Sequence, residues 1–267
     1  MINFFKVIIV ELIMSGKQLN KNRKKSNIKK IPAFTLAEVL ITLGIIGVVA
    51  ALTIPTLMNN AQNQGFVSGM KKGFSILSQA NSALIAESGS ITSAVISYGN
   101  LTNALKAQLK IMKYCPANQN PGECFSSTFI NLAGNPAPEV LDYYGQAPNE
   151  YNRMALADGS SIIVADSSDC QWDFGGLATP ICGVVVLDVN GLKKPNQLGR
   201  DIYYFIFSSD NVVHPIGALG YWDANGDDAH KDWSDWWAYC NPNFYEDGVV
   251  GGWACAGRIL KDGGMKY

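Results

Sequence analysis

Asp223, Asn225 and Asp227 alternate along Tyr221-Trp222-Asp223-Ala224-Asn225-Gly226-Asp227-Asp228, gathering oxygen-bearing side chains around a glycine. A hard cation such as calcium suits such a set, so these three are candidate metal ligands and calcium a candidate ion, though no cofactor is required. The spacing is not that of an EF-hand: Gly226 falls at the fourth loop position and Ser234 where a bidentate Glu belongs. The other reactive side chains are Cys115, Cys124, Cys170, Cys182, Cys240 and Cys255. There is no Cys-x-x-Cys, and neither His214 nor His230 is spaced from a cysteine as zinc ligands are. An even cysteine count points to disulfides. The sequence leaves the pairing open, and clustering favours Cys115–Cys124, Cys170–Cys182 and Cys240–Cys255, each loop worth roughly 2–4 kcal/mol. Only the two histidines could act as neutral-pH bases, and no G-x-S-x-G, H-E-x-x-H or phosphate-binding glycine loop occurs, so the chain reads as no enzyme. Trp222, Trp233, Trp236, Trp237 and Tyr239 cluster before Cys240. Exposed, they would stack on sugars or a neighbouring subunit; buried, they would pack around a disulfide, the reading their large apolar area favours.

These residues belong to a chain of 267 residues, 48% apolar, 16% charged and with a net charge of −1, a composition that folds. The charge is unevenly spread. Residues 1–33 hold eight Lys or Arg against Glu11 alone, so the remainder is net acidic. From Val39 to Asn60 there is no charged residue, and VLITLGIIGVVAALTIPTLM is almost wholly apolar, about the length that crosses a bilayer. Basic residues just ahead of such a run stay cytoplasmic, which makes them an address rather than a nucleic-acid surface and places the C-terminal body across the membrane. A cleaved secretory signal peptide would have a shorter apolar core and a small-residue exit. Neither description fits, and a soluble cytosolic enzyme is disfavoured.

Within Lys29-Lys30-Ile31-Pro32-Ala33-Phe34-Thr35-Leu36-Ala37-Glu38-Val39-Leu40 one carboxylate sits a turn inside the apolar segment, where an ionised group costs roughly 2.5–3.5 kcal/mol. Glu38 therefore needs a partner. Phe34, Thr35-Leu36, Glu38 and Pro55 resemble the amino-terminal signature of type IV pilins and type II secretion pseudopilins. Ala33 stands where that family usually has Gly before the cleaved bond. The resemblance implies cleavage between Ala33 and Phe34 by a prepilin peptidase, methylation of the Phe34 amine, and assembly through Phe34 and Glu38. Its implied partners are further pilin-like subunits, an inner-membrane assembly platform and the lipid bilayer. Its implied location is the bacterial cytoplasmic membrane, single-pass with the C-terminal domain exported, and then a pilus or pseudopilus. Residues 1–13 are apolar and out of character for such a leader, and Met14 is a candidate start.

Phe66, Met70, Phe74, Leu77, Asn81 and Leu84 recur at helical spacing, so the membrane helix is expected to continue to about Glu87, some 80 Å at about 1.5 Å per residue. Its apolar stripe is read as closing the core of the body. Gly65, Gly69 and Gly73 lie four apart on it, either admitting a close neighbour or loosening the helix by about 1 kcal/mol each. A short helix is predicted over Leu101–Lys113, then strands over Ser161–Ala165, Cys182–Val189 and Ile202–Ser208. Helix first and strands later predicts an α+β fold, the long helix packed on an antiparallel sheet; the resemblance implies the same, type IV pilin-like. The expected organisation is a leader over 1–33, a membrane part over 34–60, an amphipathic part over 61–90 and an exported domain over 91–267. LDVNGLKKPNQLGRDIYYFIF, from Leu187, also resembles a segment of pilin-like exported domains, with Asn190-Gly191 supplying a turn and Arg200 and Asp201 a candidate local ion pair. The functional expectation is a filament subunit; the alternative is an adhesive minor subunit using the tryptophan-rich region.

Overall fold

Good helix formers and apolar residues run on from Leu36, and in the computed structural model they form one helix, α1, over Leu36–Ser88 with Pro55 inside it. The structure describes residues 34–117, 121–137, 151–172, 179–217, 240–246 and 249–267. The chain divides between Leu52 and Thr53 into two units. In the first unit the described residues are Phe34, Thr35 and the start of α1, whose large apolar side chains are exposed except for the half-buried Val39, Leu52 to 72%. The helix is long and apolar enough to cross a membrane.

The second unit is built on a six-stranded antiparallel sheet in sequential order. Its strands are β1 (Ile111–Cys115), β2 (Asn152–Leu156), β3 (Ser161–Asp166), β4 (Ile181–Asp188), β5 (Ile202–Ser208) and β6 (Val213–Pro215). β4 and β5 are buried along their whole length, which explains their unbroken β-branched and aromatic sequence. The pleat sorts their side chains. Val185, Leu187, Tyr203, Phe205 and Phe207 join a core with Val67, Met70, Leu77 and Leu84 of α1. Val184, Val186, Ile202, Tyr204 and Ile206 join a second core with Phe125, Phe129, Leu198 and Trp253 from loops. Phe74 stacks on Phe205 with ring centroids 5.6 Å apart.

Two short helices bridge α1 to the sheet: α2 (Ile91–Tyr98), capped by the Ser90 hydroxyl, and α3 (Leu101–Gln108), capped by the Asn100 side chain. Each cap accepts a backbone N–H of the first turn, and Gly99 ends α2 at φ 84°. The helix expected over Leu101–Lys113 thus stops five residues early. Leu109 is already extended, and Ile111–Cys115 pairs with β2 instead, leaving Met112 75% exposed rather than on a helix face. A second two-stranded sheet joins β7 (Tyr245–Glu246) to β8 (Val249–Val250), and a C-terminal helix, α4 (Cys255–Asp262), packs Ile259 into the α1 core.

Three disulfides, Cys115–Cys124, Cys170–Cys182 and Cys240–Cys255, join cysteines adjacent in sequence, and no cysteine among the described residues is free. They pin irregular segments to β1, β4 and α4, where there is less regular hydrogen bonding to do so. The glycines of α1 divide in role. A Cβ on Gly69 would lie 3.0 Å from Val189 Cβ, and one on Gly73 would overlap the Leu187 side chain, whereas among the described residues nothing stands within 4 Å of one on Gly65. Two of the three therefore admit the sheet itself.

Replacement at these positions should have opposite effects. Gly65→Ala should stabilise the detergent-solubilised protein by about 1 kcal/mol through helix propensity, and Gly73→Val should destabilise it by about 1–3 kcal/mol through overpacking against Leu187. Denaturant melts of both variants read the two signs directly.

Candidate functional site

At the start of α1, Phe34 precedes the helix and is 85% exposed. Thr35 occupies the cap position, and its backbone N–H and hydroxyl both donate to Glu38 Oε2 at 2.8 Å. The Glu38 N–H donates back to Thr35 Oγ1 at 3.3 Å. This reciprocal arrangement is a capping box, which satisfies two of the N–H groups that every helix start leaves without a carbonyl. The side chain that lacked a partner in the sequence thus has one three residues away, and its charge lies at the favourable end of the helix dipole. The T-x-x-E spacing was itself the readable signal. Ala33 and the basic leader lie outside the described residues.

A second polar centre lies where β4 ends and β5 begins. Asp188 and Asp201 are both fully buried. The loop between them turns at Gly191 (φ 66°) and Asn196 (φ 51°) and wraps its N–H groups around the two carboxylates. Asn196 and Gln197 donate their backbone N–H groups to the two Asp201 oxygens at 2.9 and 2.6 Å. Asn190 donates its N–H to Asp188 Oδ1 at 3.1 Å and its side-chain amide to the Lys194 carbonyl at 3.3 Å. Burial, with the Asp201 charge alongside, pushes the Asp188 carboxyl up to about 8. Burial also pushes Asp201 up to about 6, against the pull of the Gln197, Asn196 and Asn190 donors. Among the described residues Asp188 Oδ2, Asn190 Oδ1 and Asn196 Oδ1 have no hydrogen-bond partner.

The local Arg200–Asp201 pair does not form. Arg200 Nε donates to Asn63 Oδ1 at 3.1 Å and its guanidinium lies over the Phe66 ring at 5.8 Å, while Asp201 turns to the loop amides. Consecutive side chains at a strand start diverge, so adjacency in sequence was a poor guide here. The Tyr203 hydroxyl donates to the Arg200 carbonyl, and the Tyr267 hydroxyl to the Gly199 carbonyl, fixing the loop from both sides. Sequence reasoning found the Asn190-Gly191 turn but missed Asp188, which becomes polar core only when the strand register is known.

Of the remaining sequence candidates, Asp223, Asn225, Asp227, His230 and the aromatic residues from Trp222 to Tyr239 lie outside the described residues. His214 Nε2 contacts Asp210 Oδ2 at 2.9 Å across the β5–β6 turn. Among the described residues no three His, Cys, Asp or Glu side chains gather as a metal cluster. No family model, curated protein or solved structure matches the chain.

The capping box generates its own test. Thr35→Val removes the acceptor of the Glu38 amide, and amide-resolved exchange in micelles should accelerate at that position by roughly 2- to 30-fold, the equivalent of about 0.5–2 kcal/mol of cap energy. Thr35→Ser should exchange like the parent. Unchanged exchange in Thr35→Val would mean that the box does not hold the helix start.

Proposed function

We propose that the chain is a structural subunit of a type IV pilus or type II secretion pseudopilus, processed by a prepilin peptidase and polymerised through its N-terminal helix. The observation that carries this reading is Glu38 itself. A carboxylate sits in the first turn of a helix whose following residues, Val39 to Asn60, carry no charge and are almost all exposed. A helix in contact only with lipid gains too little from that charge, since a neutral glutamine closes the same capping box and the dipole returns only about 0.3–1 kcal/mol against an insertion cost of roughly 2.5–3.5 kcal/mol.

In this reading cleavage after Ala33 frees and methylates the α-amine of Phe34. The capping box survives the cut, because the Thr35 N–H and hydroxyl both lie downstream of it. It holds the Glu38 carboxylate toward the helix start while leaving its charge uncompensated. On assembly the apolar helices pack together, water leaves, and the Phe34 amine of an adjacent subunit supplies the cation. Uncut chains offer an amide at that place, so processing gates assembly. The subunit is held in the bacterial cytoplasmic membrane with its body exported until the assembly platform draws it into the filament.

Two measurements test this. Mass spectrometry of the mature N-terminal peptide should find it beginning at methylated Phe34; an intact leader in membranes containing active peptidase would reject processing. Glu38→Gln then separates the two roles of the side chain, since glutamine keeps the capping-box geometry and loses the charge. Processed Glu38→Gln should be strongly depleted when tagged subunits are co-purified with wild-type filaments, because breaking a buried ion pair costs on the order of 3–5 kcal/mol. Wild-type incorporation would leave Glu38 as a cap alone.

A further inference from the structure

The loop from Asp188 to Asp201 keeps more buried oxygen than its own donors serve. Asp188 is 0% and Asn196 5% exposed, yet among the described residues Asp188 Oδ2 and Asn196 Oδ1 have no hydrogen-bond partner, and neither does Asn190 Oδ1. Buried acceptors without donors are rare in folded proteins, because each loses its hydration and gains nothing. These three belong to one network. Asn190 bonds Asp188 through its N–H and Asp201 through its side-chain amide, and Asn196 bonds Asp201 through its N–H. Two carboxylates share this interior, and among the described residues no Lys, Arg or His forms an ion pair with either. Lys193 and Lys194 are exposed, and Arg200 is engaged with Asn63.

We infer that the loop is a binding site for a hard divalent cation of the calcium type, held by Asp188, Asn190, Asn196 and Asp201. The donor set is all oxygen, as calcium requires, and two carboxylates match its charge. Half of the set is asparagine, whose neutral amide oxygens suit calcium rather than a transition metal. The Lys194 carbonyl, which accepts the Asn190 amide, is a further oxygen on the same loop. Water completes a coordination shell of six to eight. A cation here replaces the missing donors for every orphaned oxygen at once and lets both aspartates stay ionised.

The site lies at the joint of the fold. Val189, next to Asp188, meets Gly69 of α1; Arg200, next to Asp201, reaches Asn63 and Phe66; Gly199 accepts from Tyr267 at the C-terminus. Fixing the loop therefore fixes the contact of sheet, helix and chain end. The proposed ligands include none of Asp223, Asn225 and Asp227, and the inference does not rest on the filament reading.

The test is a melting curve of the full chain in detergent, stripped with chelator and then given calcium chloride at about 10 mM. An affinity typical of extracellular calcium modules predicts a rise of about 3–10 °C. Asp188→Asn should remove the rise without lowering the calcium-free melting temperature, since it removes the carboxylate and keeps the shape. Should that variant fail to fold, Asn190→Ala, whose side chain is only partly buried, should weaken calcium binding roughly tenfold in a titration. Asp223→Ala with Asp227→Ala should keep the full rise. A calcium-insensitive wild type would overturn the inference, as would a rise retained in both loop variants or lost in the Asp223/Asp227 variant.

Discussion

The contact between Val67–Leu84 of α1 and the inward face of β4 and β5 is the constraint the rest of the body answers to. A six-stranded sheet with two strands buried on both faces needs a cover on each, and α1 supplies the larger continuous one. Gly69 and Gly73 bring the helix axis close enough for Val189 and Leu187 to reach its backbone, and Phe74 fills the next gap by stacking on Phe205. Each fully buried Leu, Phe or Met in that seam contributes about 1.5–3 kcal/mol relative to exposure. Asn81 and Asn211 then set its register. The Asn81 side-chain amide donates to the Asn211 carbonyl, and the Asn211 side chain accepts the Ile91 N–H, tying the end of α1, the start of α2 and the β5–β6 turn to one residue.

Among the described residues the opposite face has no helix of comparable length, and loops and covalent bonds cover it instead. Phe125, Phe129, Leu198 and Trp253 cover Val184, Val186, Tyr204 and Ile206 from segments with little regular structure. Such segments carry a large ordering entropy. The disulfides Cys115–Cys124 and Cys240–Cys255 close short loops beside Phe125 and Trp253, which lowers the entropy of the unfolded chain where the folded chain has fewest ladder bonds. Gly199, at φ 74°, has no room for a side chain because the Cys255 sulfur would stand 2.6 Å from its Cβ. The second core, the third disulfide and the acidic loop thus meet at one glycine.

Where residues announced their own environment, the sequence was readable. Ile202–Ser208 is a strand to the residue, since a run of Ile, Tyr and Phe is stable only when both faces are covered. The continuation of α1 to Ser88 was legible from the spacing of Met70, Leu77 and Leu84. Elements whose state depends on a distant partner were not legible. Asn152–Leu156 contains no β-branched residue and is a strand because it fills the gap between β1 and β3, where Met154 is buried. The helix α4 has Ala254 at its cap position and no side-chain cap, so it lacked a start signal, although Gly263 at φ 74° marks its end. Leu105, Leu109 and Met112 keep a helical spacing beyond the point where β pairing takes over. At the candidate sites the same division holds: Thr35 and Glu38 are local and readable, whereas Asp188 and Asp201 become partners only through the β4–β5 register.

Glu38 and the Asp188–Asp201 loop are instances of one physical problem met in two ways. Hydrogen bonds from neutral N–H and hydroxyl groups orient a carboxylate and stabilise it, but they leave its net charge in place. At the start of α1 that is sufficient while the group stays exposed, because water screens the remainder. Glu38 becomes costly only if its surroundings become dry, and then it demands a cation from outside its own chain. At the β4–β5 loop the surroundings are dry already, since Asp188 and Asp201 are fully buried in the folded body. The demand there is permanent rather than conditional. A group that must be satisfied at all times favours a bound ion supplied with the fold, whereas one that must be satisfied only on association favours a charge carried by the associating partner. Thr35 orients one carboxylate at an exposed helix start, and among the described residues Asn190 and Asn196 keep oxygens without donors beside the two buried ones.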